Sequence, residues 1–220
     1  MSDSELKKTL TSNHVQRGML VVVSSPSGGG KGTLIKEVLG TLPMIGYSVS
    51  FTTRSARDTE VNGRDYHFVT ESEFEAMIEH GELLEWARVH GNLYGTGVRE
   101  VKKETEQGRD IILEIDVQGA ANIRALTQDS IQIFVMPPSF EVLRARLVGR
   151  GTENQSDLEL RLRNSHAEVA HYREFEYIII NDELKKASHQ LASVIIAERL
   201  RRSRCSQSIE KLVESFKDIS

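Results

Sequence analysis

The residues between Ser25 and Gly32 carry the most informative chemistry of this chain. The stretch VVVSSPSGGGKGTLIKEVL begins at Val21 with β-branched residues, passes through three glycines and a lysine, and continues as an amphipathic pattern. This order follows the phosphate-binding pattern G-x-x-x-x-G-K-[ST]. Ser25 stands where the first glycine belongs, and Gly32 stands where the metal-binding hydroxyl belongs. The stretch predicts a nucleotide phosphate site with an altered loop.

The loop residues have physical roles in such a site. The glycines at 28–30 allow positive φ angles and let backbone N–H groups approach phosphate oxygens. Lys31 opens a helix whose N-terminal dipole favours an anion, and its ammonium can reach β- and γ-phosphates. Thr33 adds a hydroxyl donor. Gly32 removes one direct ligand of Mg²⁺, so we expect phosphate, water and other groups to hold the metal.

Composition limits the class of protein. The 220 residues include 28 basic and 32 acidic side chains, and the net charge of −4 offers no attraction to nucleic acid or an anionic membrane. The single cysteine excludes an internal disulfide and fits a reducing compartment. No stretch reaches the roughly 20 apolar residues of a membrane span. We therefore expect a cytoplasmic protein without nucleic-acid or membrane partners, and a homo-oligomer is compatible with the sequence.

Short β-rich runs alternate with helical patterns along the chain. Continuous apolar runs separated by helices are typical of strands buried on both faces of a mainly parallel sheet. Ligands of such sheets bind at the carboxyl ends of the strands. The predicted strands are 19–25, 47–51, 110–116, 131–137 and 176–182. The pattern predicts an α/β fold whose functional residues converge at one edge of the sheet.

Two polar regions interrupt this alternation. Residues 50–99 hold short strand-like runs and one helical run, ESEFEAMIEHG, and predict a small insert standing off the sheet. Residues 149–163 include three arginines and predict a mobile segment over the site. We expect one domain over 18–205, with its core in 18–49, 100–148 and 164–205, between a polar tail at 1–17 and a C-terminal helical tail at 206–220.

Six motifs make the prediction more specific. In chain order they are SFTTRSAR, VNGRDYHF, EWARVHGNLYGT, EIDVQGA, GRGTE and IIIND. Their order and spacing resemble those of guanylate kinases, P-loop nucleoside monophosphate kinases that move a phosphoryl group from ATP to GMP. The resemblance covers most of the chain. It implies a P-loop NTPase core, a GMP-binding insert at 50–99 and an Arg-rich lid at 149–163.

The resemblance implies a reaction and its residues. The γ-phosphoryl group of ATP would pass to GMP, giving ADP and GDP in purine nucleotide metabolism, with Mg²⁺ as cofactor and closure of insert and lid on both substrates. The implied catalytic residues are Lys31, Arg54, Arg150 and Arg161. The implied ATP-binding residues are Ser25, Pro26, Ser27, Gly28, Gly29, Gly30, Lys31, Gly32 and Thr33 in the loop, and Asn181 and Asp182 beside the adenine.

The insert supplies candidates for the acceptor pocket. Arg54 and Arg57 can fork onto one phosphate, and the hydroxyls of Tyr66 and Tyr94 can reach the same anion. Glu85 is the candidate for reading the base, because a carboxylate can accept from guanine N1–H and N2–H₂ together. Adenine has no such pair of donors.

Three further residues complete the predicted base site. Ser50 and Thr96 can donate to guanine O6, and Asp116 can accept from the amino edge of the base. By the resemblance, the GMP contacts are Ser50, Arg54, Arg57, Tyr66, Glu85, Tyr94, Thr96 and Asp116.

Glu114 and Asp116 lie two residues apart near the end of a predicted strand and should share a face. We expect Asp116 to orient metal-bound water or the acceptor. Glu114 departs from the aspartate that the family often has, and its role stays open. By the resemblance, Arg150 and Arg161 are lid arginines that contact the phosphates. We expect Arg144 and Arg146, in contrast, to lie on a solvent-exposed helix face.

Two other functions stay open on the sequence. An adenylate-type kinase has a loop similar to GGGKGT, but Glu85 with Ser50 and Thr96 favours guanine. A guanylate-kinase-like scaffold domain binds phosphoproteins without catalysis, and such domains typically have a degraded loop. Here Lys31, the glycines and the lid arginines are present. Each residue alone also fits a structural role, such as a surface arginine or a core tyrosine.

Overall fold

The computed structural model describes residues 17–89, 91–149 and 155–216. Its strands are β1 (Leu20–Ser24), β2 (Ile45–Tyr47), β3 (Phe51–Thr52), β4 (His67–Phe68), β5 (Leu83–Val89), β6 (Asn92–Gly97), β7 (Asp110–Glu114), β8 (Ser130–Met136) and β9 (Tyr177–Ile180). Its helices are α1 (Lys31–Thr41), α2 (Glu71–Glu79), α3 (Val98–Glu106), α4 (Val117–Leu126), α5 (Phe140–Val148), α6 (Gln155–Ala170), α7 (Leu184–Arg199) and α8 (Arg202–Ser215). Residues 1–16 of the predicted N-terminal tail lie outside the described ranges.

Five strands form a parallel sheet in the order β2-β7-β1-β8-β9. β1 lies at the centre, where Val22 pairs with Leu113 on one side and with Gln132 on the other. The valines of β1 are fully buried because helices cover both faces of the sheet. The predicted α/β fold with a mainly parallel, helix-flanked sheet is confirmed.

Alternate residues of β1 enter two apolar layers. Val21 and Val23 pack in one cluster with residues of α1 and α7. Leu20 and Val22 point to the other face, where they pack with residues of α3 and α4. The polar loop that follows β1 therefore emerges at the carboxyl edge of the sheet, where such sheets bind ligands.

The predicted strand 47–51 is wrong. Ile45–Tyr47 pairs with β7 in the parallel sheet, whereas Phe51–Thr52 pairs with β6 in a second sheet. Ser48 still donates its N–H to the Ile112 carbonyl at 3.0 Å before the chain leaves the first sheet. Alternation of apolar residues does not tell which sheet a residue joins, so the pattern predicts one strand where two exist.

The region 50–99 contains a sheet of its own, with four strands in the order β4-β3-β6-β5. The hairpin of β5 and β6 has strands of seven and six residues, longer than the short runs that the sequence indicated. α2 covers this sheet, and Phe74 is fully buried there beside Leu83 and Leu93. The insert thus has a separate apolar core.

The polar region 149–163 includes the first half of a long helix. α6 begins at Gln155 and continues beyond residue 163 to Ala170. Arg150 lies outside the described residues. Among the helices that are described, none is both long and apolar enough to cross a membrane.

Asp110 at the start of β7 offers a test of the sheet. Its side chain is buried, and its two oxygens accept from the Met19 N–H at 2.8 Å and from Arg199 Nε at 2.7 Å. Asp110→Ala leaves both donors without their carboxylate, so we expect the free energy of unfolding in urea to fall by about 3 kcal/mol. Asp129→Ala, which removes an exposed partner of Arg204, should change it by less than about 0.5 kcal/mol. Equal losses in the two variants would show that Asp110 does not anchor the sheet.

Candidate functional site

The carboxyl ends of β1 and β7 open onto a cavity of about 610 Å³. Its wall is formed by the loop between β1 and α1 together with α1, by Tyr47 at the end of β2, by the insert, by the end of β7 with the two residues that follow it, and by α6. Residues from five separate stretches of the chain therefore meet at the edge of the sheet where ligands are expected.

Two glycines of the loop have backbone angles and surroundings that exclude a side chain. Gly28 and Gly30 have φ angles of 87° and 85°. A Cβ at Gly28 would lie 2.9 Å from the side chain of Leu147, and one at Gly30 would lie 2.6 Å from Nδ2 of Asn181. The loop can adopt this shape only with glycine at both positions.

Side chains from two other elements hold the loop. The Gly29 carbonyl accepts from Asn181 Nδ2 at 3.0 Å and from Arg146 Nη1 at 3.2 Å. Arg146 also donates to the Asn181 carbonyl at 2.8 Å. The prediction that Arg146 belongs to a solvated helix face is wrong, because α5 points this guanidinium at the loop. Arg144 is exposed, as predicted.

α6 contacts the same loop at Ser27. The Ser27 N–H donates to Oε2 of Glu168 at 2.8 Å, and its hydroxyl accepts from Arg161 Nε at 3.1 Å. Ser165 donates its hydroxyl to the Ser27 carbonyl at 3.0 Å. Arg161 is thus brought to the cavity together with Glu168, a carboxylate that no sequence motif singles out.

Lys31 lies beside the acidic end of β7. Its Nζ is 3.8 Å from Oε1 of Glu114, and the Tyr47 hydroxyl donates to Oε2 of Glu114 at 3.1 Å. Burial, followed by the charge of Glu114, raises the pKa of Tyr47, so this phenol is a hydrogen-bond donor at neutral pH. The Glu114 carboxylate is therefore held on the cavity wall by two side chains, Tyr47 and Lys31.

Asp116 has a structural task in addition to its place on the cavity wall. It is the N-cap of α4, and its Oδ1 accepts from the Gly119 N–H at 2.9 Å. Its Oδ2 accepts from Gln118 Nε2 at 3.2 Å, and the residue still lines the cavity. One carboxylate thus both begins a helix and faces the site.

The arginines of the insert meet an internal carboxylate. Arg54 donates to both oxygens of Glu60, at 2.9 and 3.0 Å, and Arg57 donates its N–H to Glu60 at 2.8 Å. Although burial acts to raise it, these hydrogen bonds lower the pKa of Glu60. The two arginines therefore form a place where a negatively charged group with several oxygens is stable.

Two tyrosines complete this part of the wall. Tyr66 and Tyr94 meet edge to face with ring centroids 6.0 Å apart, and the guanidinium of Arg54 lies 5.3 Å from the centre of the Tyr66 ring. Burial, followed by the charge of Glu114, raises the pKa of Tyr66 to about 12. Its hydroxyl keeps its proton at neutral pH and can donate to an anion.

Glu85 is a buried carboxylate on the wall that the insert contributes. It is 6% exposed, and its Oε1 accepts from the Thr96 hydroxyl at 2.6 Å. A Cβ at Gly119 would lie only 2.6 Å from its Oε2, so a glycine there makes room for the carboxylate. Burial raises the pKa of Glu85 to about 7, with a smaller contribution from Asp116, while the Thr96 hydrogen bond opposes the rise.

Most predicted site residues share this cavity. Those on its wall are Ser25, Pro26, Ser27, Gly28, Gly29, Gly30, Lys31, Gly32, Thr33, Ser50, Arg54, Arg57, Tyr66, Glu85, Tyr94, Asp116 and Arg161. Thr96 is buried and acts through Glu85. Asn181 holds the loop, and Asp182 is exposed and pairs with Lys186 at 3.1 Å. The prediction for Arg150 falls on a residue that is not described.

The sequence-based predictions miss the contribution of several residues to the site. Glu60 had a usable signal, since it is an acid three residues after Arg57 and next to the VNGRDYHF motif. Glu168 and Arg146 had none, because a charged residue on a helix looks the same whether it faces water or a loop. The contribution of Tyr47 depends on where β2 ends.

The cavity has two chemically different sides. One side offers a glycine loop, a lysine at a helix N-terminus and Arg161, which together suit a polyphosphate. The other offers two arginines and two tyrosines for a second anion, and the Glu85 carboxylate for a group with neighbouring N–H donors. The arrangement suits two nucleotides bound end to end.

Comparison with known proteins identifies one family. The family model described as guanylate kinase matches residues 17–198. The guanylate kinase of Dechloromonas aromatica is 45% identical over 200 residues, covering 89% of this chain and 99% of that protein. The guanylate kinase of Thermotoga maritima is 44% identical over 195 residues, covering 89% of this chain and 94% of that protein.

A solved structure agrees with the sequence matches. The crystal structure of guanylate kinase from Anaplasma phagocytophilum superposes with a TM-score of 0.74 at 31% identity. It covers 86% of this chain, and this chain covers 90% of it.

The raised pKa of Glu85 predicts a dependence of stability on pH. Burial raises this pKa from 4.5 to about 7, so the folded state disfavours the charge. The penalty is absent below pH 4.5, grows as the pH rises to about 7, and stays constant above it. We expect Glu85→Gln to raise the free energy of unfolding in urea, by about 2–3 kcal/mol more at pH 8 than at pH 5. Glu82→Gln, which removes an exposed carboxylate of the same hairpin, is the control. A pH-independent difference between Glu85→Gln and the unmodified chain would refute this pKa.

Proposed function

The chain belongs to the guanylate kinase family, which makes it a kinase, and from this premise we propose that it transfers the γ-phosphoryl group of ATP to GMP. The products would be ADP and GDP, within purine nucleotide metabolism. The observation that carries the choice of acceptor is the buried carboxylate of Glu85, held by Thr96 on the cavity wall. It suits a base that presents two adjacent N–H donors, as guanine does.

We propose that the phosphates of ATP bind the loop at 25–33. Support comes from the glycines that shape the loop, from Lys31 at the start of α1, and from Arg161, which reaches Ser27. Asn181 supports the ATP site by holding Gly29. Contact of Asn181 and Asp182 with the adenine stays a prediction.

We propose that the phosphate of GMP binds Arg54 and Arg57, with the hydroxyls of Tyr66 and Tyr94 as further donors. The two hydrogen bonds that Arg54 makes to Glu60 orient its guanidinium on the cavity wall. Such a fork matches two oxygens of a phosphate as well as those of a carboxylate.

We propose that the guanine lies against Glu85, with Ser50, Thr96 and Asp116 around it. Ser50 and Asp116 line the same cavity, and Ser50 is buried. In adenine, N1 is an acceptor, so a charged Glu85 would face a lone pair instead of a donor. The carboxylate thus both attracts guanine and repels adenine.

We propose Mg²⁺ as the cofactor that accompanies ATP. Mg²⁺ takes oxygen ligands and usually keeps phosphate and water in its shell. Glu114 ends β7, the strand paired with β1, and Asp116 follows it two residues later, so these carboxylates beside the loop form a donor set that fits this ion. Within the described residues, no group of three or more His, Cys, Asp or Glu side chains is placed to hold a metal alone. The bound ion would neutralise charge on the β- and γ-phosphates. Asp116, which already caps α4, would act through water.

The residues around the phosphates account for the reaction without a strong general base. A phosphate oxygen of GMP is itself a nucleophile. Lys31 and Arg161 would neutralise charge on the donor, while Arg54 would orient the acceptor in line with it. Positioning and charge stabilisation provide most of the catalysis in phosphoryl transfer.

We further propose that the insert and the lid close over the two substrates. The insert has its own sheet and apolar core, which suits movement as a unit. α6 already presents Arg161 and Glu168 to the cavity. Closure would exclude the water that otherwise hydrolyses ATP. The role of Arg150 in the lid stays a prediction.

A coupled ADP-release assay tests the proposed function. ATP and Mg²⁺ are supplied with GMP, AMP, CMP or UMP in parallel. We expect turnover with GMP alone. Turnover chiefly with AMP would overturn the acceptor pocket, and folded protein that binds GMP without any turnover would favour the scaffold alternative.

Glu85→Gln tests the base-reading role in the same assay. The amide of glutamine is uncharged and has one acceptor oxygen, so it cannot accept from both N–H donors of guanine as a carboxylate does. We therefore expect kcat/KM for GMP to fall about 10- to 100-fold. The ratio of kcat/KM for GMP to that for AMP should fall as well. Lys31→Ala is the contrasting variant, because it should abolish transfer while GMP affinity, measured by calorimetry, is kept. An unchanged preference for GMP in Glu85→Gln would remove Glu85 from this role.

A further inference from the structure

The space beside position 32 of the loop is filled by a side chain from another strand. A Cβ at Gly32 would lie 3.3 Å from Oε1 and 3.5 Å from Oε2 of Glu114. In the usual loop, a serine or threonine hydroxyl at this position binds Mg²⁺. The carboxylate oxygens of Glu114 therefore lie beside the position from which that hydroxyl would extend.

The carboxylate is held there by the fold. Glu114 is the last residue of β7 and is paired in register with Val23 of β1, one residue before that strand ends. The Tyr47 hydroxyl donates to its Oε2, and Lys31 Nζ lies 3.8 Å from its Oε1. The side chain is 20% exposed and lines the cavity. Oε1 is thus directed toward the loop and the lysine.

The other acid near this strand end is less suited to the same task. Both oxygens of Asp116 accept hydrogen bonds from the first turn of α4, from Gly119 N–H and Gln118 Nε2. Moving Asp116 onto an ion would uncap the helix, with a cost of about 1 kcal/mol. Glu114 does not cap a helix, so binding an ion through its carboxylate would not uncap one.

We propose that Glu114 replaces the missing hydroxyl of the loop and binds the Mg²⁺ of the ATP complex directly, with Gly32 as the residue that leaves room for it. This inference rests on the proposed function, since it assumes that the loop binds the phosphates of ATP. The Cβ of a side chain at position 32 would lie in tight contact with Oε1 of Glu114, at 3.3 Å. Gly32 and Glu114 therefore form a matched pair, and the altered loop retains a protein oxygen for the metal.

Binding of ADP with and without Mg²⁺ tests this pair. The quantity measured by calorimetry is the metal gain, the ratio of the ADP Kd in EDTA to the ADP Kd in Mg²⁺. We expect Glu114→Gln to lower the metal gain about tenfold or more. ADP affinity in EDTA should stay equal or rise, because a negative charge facing the phosphates has been removed. Glu37→Gln removes an exposed carboxylate from α1 and should change neither value.

A second pair of variants gives a rescue. Glu114→Asp shortens the side chain by one methylene, withdraws the carboxylate from position 32, and should lower the metal gain. Adding Gly32→Ser to Glu114→Asp supplies the usual hydroxyl and should restore the gain. The proposal would be overturned if Glu114→Gln had the same metal gain as the unmodified chain. It would also be overturned if the double variant had the same metal gain as Glu114→Asp alone.

The two proposals fail in different ways. GMP turnover by the unmodified chain is measured in parallel with ADP binding. Absence of turnover together with a metal gain that depends on Glu114 would overturn the proposed function and leave the metal contact standing. If the unmodified chain turns over GMP and Glu114→Gln has the same metal gain as the unmodified chain, only the proposed metal contact is overturned.

Discussion

Burial of the Glu85 carboxylate is the constraint that organises this site. A carboxylate removed from water needs a donor, room and a favourable field, and the fold provides these from two elements, the β5–β6 hairpin and α4. Thr96 donates across the β5–β6 hairpin, and Gly119 leaves space in the first turn of α4. The N-terminal dipole of that helix favours negative charge. Burial nevertheless raises the pKa of Glu85 to about 7, so the group is kept at the expense of stability, as is common for functional residues.

The same constraint connects the insert to the parallel sheet. α4 begins at the Asp116 cap directly after β7, and Asn122 farther along it donates to the Trp86 carbonyl of β5 at 3.0 Å. The acceptor pocket and the acidic strand end are therefore fixed to one helix. Across the cavity, α5 and α6 hold the glycine loop from outside through Arg146 and Ser165. The cavity thus has two sides, one suited to a polyphosphate and one to a base with its phosphate.

The sequence predicted the features that a local pattern of residues is enough to specify. The parallel sheet follows from buried β-branched runs such as that of β1, and the cavity follows from the loop and the insert motifs. Prediction failed where the outcome depends on tertiary position. The run at 47–51 is divided between two sheets, and Arg146 turns toward the loop. Neither has a signature in the spacing of residues, because a side chain has the same local pattern whichever sheet, solvent or backbone carbonyl it meets.

The proton balance of GMP binding tests most directly whether Glu85 reads guanine as a carboxylate. If it does, and if its pKa is near 7 in the free protein, binding must release its proton. Calorimetric titrations in buffers of different ionisation enthalpy measure that number. We expect release of about half a proton per GMP at pH 7 beyond the release seen with Glu85→Gln, and more at pH 6, because the phosphate of GMP contributes equally to both proteins. Equal proton release by the two proteins at both pH values would contradict a base-reading carboxylate at this position.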